Sequence, residues 1–129
     1  MREKESREGE RTKGSGSSGA RISTGAVQLF RKYTGRGPSK AHTTVNDEVV
    51  FVVLRETLTT GERTLIAAGE EEQVLSVRRA YQQAMRRELT ELVEEEVGRS
   101  VAGVVSFDSV DPEVSCEVFV LDGSKPAPD

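Results

Sequence analysis

Residues 70–97, EEEQVLSVRRAYQQAMRRELTELVEEEV, decide the fold. Val74, Val77, Tyr81, Met85, Leu89, Leu92 and Val97 recur every three to five residues, the period of one helical face. Ala80, Ala84 and Val93 widen that stripe, and Glu, Gln and Arg fill the other side. No Pro or Gly interrupts the run before Gly98. A helix of this length spans roughly 40 Å, more than a core of this size requires. One end is therefore expected to overhang, or to pack against a second copy.

Working outward, Thr59-Thr60-Gly61-Glu62 has the form of a capping box and predicts a short helix carrying Leu65, Ile66 and Ala67. Before it, Ala41–Val45 and Glu48–Arg55 read as two strands joined at Asn46-Asp47. Residues 49–54 are all apolar, so both faces of the second strand call for cover, as in a central strand or one closed by a partner. Ile22–Tyr33 carries Ile22, Ala26, Leu29, Phe30 and Tyr33 at helical spacing, and Gly35 suits the left-handed position that ends a helix. After the long helix, Ser100–Phe107 and Val114–Leu121 read as a closing hairpin. Val101, Gly103, Val105 and Phe107 line one face, and Val114, Cys116, Val118 and Val120 do the same on the last strand.

The expected fold is α+β in the order α-β-β-α-α-β-β. A four-stranded antiparallel or mixed sheet, made of two hairpins, packs with a long central helix and two shorter ones. Residues 1–20 read as a disordered tail or linker. They combine alternating charge up to Lys13 with only Gly and Ser from Gly14 to Gly19. A single domain is expected over residues 21–122, and residues 123–129 form a Pro-containing C-terminal tail.

The chain has 129 residues, enough for one domain, with a net charge of −4. An acidic balance without Trp argues against general nucleic-acid binding and base-stacking platforms. The single Cys116 excludes an internal disulfide and a thiolate metal cluster, and suits a reducing cytoplasm. With His42 the only histidine, a His-rich metal site or a Ser-His-Asp triad is not expected, and no cofactor motif is evident. The longest apolar run is far short of the ~20 residues that span a bilayer, so no direct membrane insertion is expected. No nucleophile–base or metal constellation is visible, so the chain reads as non-enzymatic.

The candidate ligand site is the turn Gly35-Arg36-Gly37-Pro38-Ser39-Lys40. Arg36 and Lys40 supply positive charge, and Gly37 permits close backbone approach, so Arg36, Gly37 and Lys40 form a candidate anion site. The same turn also reads as a plain helix-to-strand connection with basic surface residues. His42 reads as an edge-strand residue and Cys116 as a buried thiol. On the long helix, Arg78, Arg79, Arg86 and Arg87 lie between Glu70-Glu71-Glu72 and Glu94-Glu95-Glu96. That pattern reads as a solvated face with i,i+4 pairs, or as a helix that pairs antiparallel with its own copy in a homodimer.

The Gly35-Arg36-Gly37-Pro38 turn, the strand pair after it, Leu58-Thr59 with Glu62, the Arg78-bearing helix and the closing Val118-Phe119-Val120-Leu121 together resemble the MpsC family. The resemblance covers roughly Ile22–Leu121. The family takes its name from a bacterial sodium-translocating system that generates membrane potential. The resemblance implies an accessory or regulatory role in the cytoplasm beside a membrane complex, and it transfers no catalytic residue. A small-ligand sensor using the Gly35–Pro38 turn is the alternative expectation.

Overall fold

A computed structural model describes the chain from Ser15 to Gly123. The elements are α1 (Ser15–Thr34), β1 (Lys40–Val45), β2 (Val49–Arg55), α2 (Thr60–Ala67), α3 (Glu71–Val97), β3 (Val101–Val110) and β4 (Glu113–Leu121). The four strands form one sheet in the order β1-β2-β4-β3, with every neighbouring pair antiparallel. The fold is the α+β arrangement expected from the sequence, and the sheet is fully antiparallel.

Helix α1 starts seven residues before Ile22, where the sequence places its first apolar residue, so the expected tail overlaps it at Ser15–Ala20. Composition misleads here because tertiary contact overrides the low helix propensity of Gly and Ser. The hydroxyl of Ser18 donates to the Glu96 carbonyl at 3.3 Å. Gly19 is buried so tightly that a Cβ there would meet the Thr43 carbonyl oxygen at 3.2 Å. Residues 1–14 and 124–129, which hold the rest of the expected tails, lie outside the described residues.

Helices α1 and α3 cover one face of the sheet, and α2 packs against α3. The core is made by Ile22, Ala26 and Phe30 of α1, Met85, Leu89 and Val93 of α3, and Val50, Val52, Leu54, Phe119 and Leu121 of the two central strands. Each of these side chains other than that of Ala26 contributes about 1.5–3 kcal/mol through burial. Helix α1 crosses the C-terminal half of α3 at close range. A Cβ on Gly25 would meet Cδ2 of Leu92 at 2.6 Å, so the glycine sets the approach. Ion pairs Arg21–Glu96 and Lys32–Glu88 border that crossing. The capping box of α2 forms as expected. Glu62 N–H donates to the Thr59 hydroxyl at 3.1 Å, and Thr59 N–H donates to the Glu62 carboxylate at 2.9 Å.

The buried face of α3 differs from the expected stripe. It consists of Val74, Arg78, Gln82, Met85, Leu89 and Val93. Val77, expected on that face, is 45% exposed, whereas Arg78 is 2% exposed. The helix is therefore rotated so that two polar residues enter the interior. The expected overhang is also absent along most of its length, because buried positions run from Val74 to Val93. Helices α1 and α2 account for the extra length.

The closing hairpin is likewise turned over. Pairing places Ser106 opposite Glu117 and Asp108 opposite Ser115, on the helix-covered side. Val105 pairs with Val118 and Phe107 with Cys116, on the other side. Cys116, expected in the core, is only partly buried on that outer face.

Candidate functional site

Polar residues expected at the surface meet instead in a layer between α3 and the sheet. Nη1 of Arg78 donates to the Thr57 carbonyl at 3.3 Å and to the Glu62 carboxylate at 3.2 Å. Nη2 donates to the Ser115 hydroxyl at 3.3 Å, and that hydroxyl donates to Asp108 at 2.6 Å. The guanidinium also lies 5.9 Å from the ring centre of Phe30. One turn along α3, Gln82 donates to Glu117 at 2.9 Å, and the Ser106 hydroxyl donates to the other Glu117 oxygen at 2.6 Å. Arg86, half-buried, donates to Ser106 at 3.2 Å.

Burial pushes the Glu117 carboxyl up to about 7, and the nearby Asp108 adds to the rise; hydrogen bonds from Ser106 and Gln82 oppose it. Burial also raises Asp108, against the Ser115 hydrogen bond and the Arg78 charge. A second oxygen of Asp108 and Nε of Arg86 are buried without a partner. The layer joins the start of α2, the middle of α3 and both strands of the closing hairpin. It lies inside the fold, and its hydrogen bonds tie these elements to one another.

The face turned away from the helices is different. Phe51, Val105, Phe107 and Val120 are 40%, 59%, 57% and 40% exposed there. Val49, Val53, Cys116 and Val118 lie among them in the pairing pattern, partly buried. No acidic or basic side chain interrupts this patch on β2 and β4 between Val49 and Val53 or between Cys116 and Val120. Most strands that have one face covered turn polar side chains outward on the other; this hairpin places its polar set inward.

At one corner of the outer face, Lys40, Ala41, His42, Val53 and Arg55 line a hollow of ≈ 540 Å³. Lys40 pairs across the strands with Arg55, and His42 with Val53, so three nitrogen-bearing side chains share one corner of the sheet. Of the three residues expected to form an anion site, Lys40 lines this hollow; Arg36 and Gly37 lie in the turn before it. Gly35 takes the left-handed conformation, φ 83°, and its N–H donates to the Arg31 carbonyl at 2.9 Å, ending α1. A Cβ on Gly37 would meet Arg31 Nη2 at 3.1 Å and Val27 Cγ1 at 3.2 Å, so this glycine fits the turn against α1. Arg36 N–H donates to the Thr34 hydroxyl at 3.2 Å. Glu56 sits beside the turn and accepts a hydrogen bond from Ser39. That bond holds its carboxyl below the ordinary range, with Lys40, Arg63 and Arg36 adding to the effect.

Sequence reasoning by apolar period missed Arg78, Gln82, Glu117 and the basic partner Arg55. A signal was available. Ser106, Asp108, Ser115 and Glu117 alternate on the closing strands as regularly as their apolar neighbours do. A sheet with polar residues inside needs a helix with polar residues inside, which would have selected Arg78 and Gln82.

A family model described as Na+-translocating membrane potential-generating system (MpsC) matches residues 15–123. No curated protein and no solved structure matches the chain.

Proposed function

The chain belongs to the MpsC family, and from that premise we propose that it is a non-enzymatic accessory or regulatory domain of a bacterial sodium-translocating membrane system. It works in the cytoplasm, as a homodimer, by binding to other proteins. The observation that carries this reading is the division of the two sheet faces. Arg78 is enclosed with Glu62 and Asp108, and Glu117 with Gln82 and Ser106, and the open face offers apolar side chains. Reactive groups locked inside and apolar groups outside suit recognition better than turnover. No helix among the described residues is long and apolar enough to cross a membrane. A role beside a translocating system therefore rests on docking to its subunits.

Deleting the chain in its host and measuring sodium-dependent membrane potential tests the reading. The potential is expected to fall, and to recover when the full chain is returned. A potential unchanged by the deletion contradicts the proposal.

The hollow lined by Lys40, His42 and Arg55 favours a second reading, a sensor of small anions. Its test is thermal stabilisation by phosphorylated metabolites. A ligand that raises the melting temperature of the parent, and not of Lys40→Ala with Arg55→Ala, supports the sensor.

A further inference from the structure

We propose that the outer face of the sheet is the surface through which two copies of this chain pair, face to face, with the sheets turned end for end. This gives the homodimer its surface and rests on the dimeric part of the preceding reading.

The long helix is a poor dimer surface. Arg78 is buried and Arg86 is turned toward Ser106, so two of the four basic residues expected to face a second copy are engaged inside the protomer, leaving Arg79 and Arg87 exposed. The outer sheet face has what the helix lacks. Its centre, around Phe51, Val118, Cys116 and Phe107, is apolar and contains no directional polar group that a particular partner would have to match. Such a surface is complementary to itself.

Its size also fits. With strands ~4.8 Å apart and ~3.3 Å per residue, a four-stranded face offers ~450 Å². Two copies bring together ~900 Å² before the relief of the side chains is counted, near the ~1,000 Å² of a specific interface. An interface at this lower limit belongs to the weak, reversible class rather than the permanent one.

Charge at the rim selects a second copy over an unrelated apolar partner. Lys40 and Arg55 stand at one end of the β1-β2 hairpin, with Glu56 beside Lys40, and the exposed Asp47 and Glu48 stand at the other, where Arg99 donates to the Asp47 carbonyl. When a second copy is turned end for end, the basic end of each lies over the acidic end of the other. Two-fold symmetry makes this contact twice. Exposed ion pairs orient the copies, and the apolar centre holds them.

The experiment is sedimentation equilibrium of the full chain from low to high micromolar concentration, alongside Phe107→Lys on the face and Val77→Lys on α3. The parent and Val77→Lys are expected to dimerise alike. Phe107→Lys should dimerise about tenfold or more weakly, since it buries a charge in the apolar centre. Equal dimerisation of all three moves the dimer to another surface and overturns this inference alone. A monomeric parent overturns both the inference and the dimeric part of the functional reading, whatever the membrane-potential experiment gives. Binding of the monomer to lipid vesicles would mark the face as a membrane surface and overturn it as well. If Phe107→Lys loses its fold by circular dichroism, the parent still decides. The reaction of Cys116 with a thiol reagent must slow as protein concentration rises, and a rate independent of concentration overturns the inference.

Discussion

Gln82 of α3 donates to Glu117 of β4 at 2.9 Å, and both residues are buried. This contact fixes which side of the helix and which side of the strand face each other. It also places a carboxyl group where ionisation is unfavourable, with consequences for how stability varies with pH.

The folded-state value of Glu117, about 7, lies above its ordinary value of 4.5. The folded state thus holds this proton more tightly than the unfolded state does. Stability contributed by the protonated group is fully present below the unfolded value and is lost as pH rises through about 7. Asp108, also raised, acts in the same direction. Urea denaturation is expected to show stability falling between mildly acidic and neutral pH, by about 1–3 kcal/mol from Glu117. Glu117→Gln should flatten that slope. A parent profile that rises over the same interval would contradict the assignment.

Arg78 bridges Thr57, Glu62, Ser115 and Asp108. Arg78→Ala leaves buried carboxylates without their cation and is expected to cost about 3–5 kcal/mol. Chemical denaturation measures it. A loss below ~1 kcal/mol, the scale of an exposed pair, would mean that water enters the layer freely.

The orientation of α3 has its own test. Val74 is fully buried and Val77 is not. Val74→Ala should destabilise by about 1–3 kcal/mol, and Val77→Ala by less than about 0.5 kcal/mol. The reverse ranking in thermal melts would restore the face that apolar spacing alone suggests.

At the start of α2, Thr59→Ala removes the hydroxyl that accepts from Glu62 N–H and should cost about 1 kcal/mol. Thermal melting of the variant against the parent checks this. A variant as stable as the parent would show that the box adds nothing to the docking of α2.

These residues show what was legible in the sequence. The capping box, the central apolar strand and the α-β-β-α-α-β-β order all follow from local chemistry, and each is present. The start of α1 was hidden because it packs against residues distant in sequence: Gly19 lies so near Thr43 that a Cβ would crowd the Thr43 carbonyl, and Ser18 donates to the Glu96 carbonyl. The facing of α3 and of the last hairpin was hidden for a related reason. Apolar period identifies the core only when the core is apolar, and here Arg78 and Gln82 answer Ser115 and Glu117 across it. At the candidate site, Lys40 was readable as a basic residue near a turn. Its neighbour Arg55 was not, because only strand pairing brings it alongside.

Affinity purification of the tagged full chain from membranes of its own host, read by mass spectrometry, tests the accessory role most directly. The membrane-spanning subunits of a sodium-translocating system should be enriched over a mock purification, and lost when detergent dissociates the complex. Recovery of the same membrane proteins with and without the tagged chain would contradict the role.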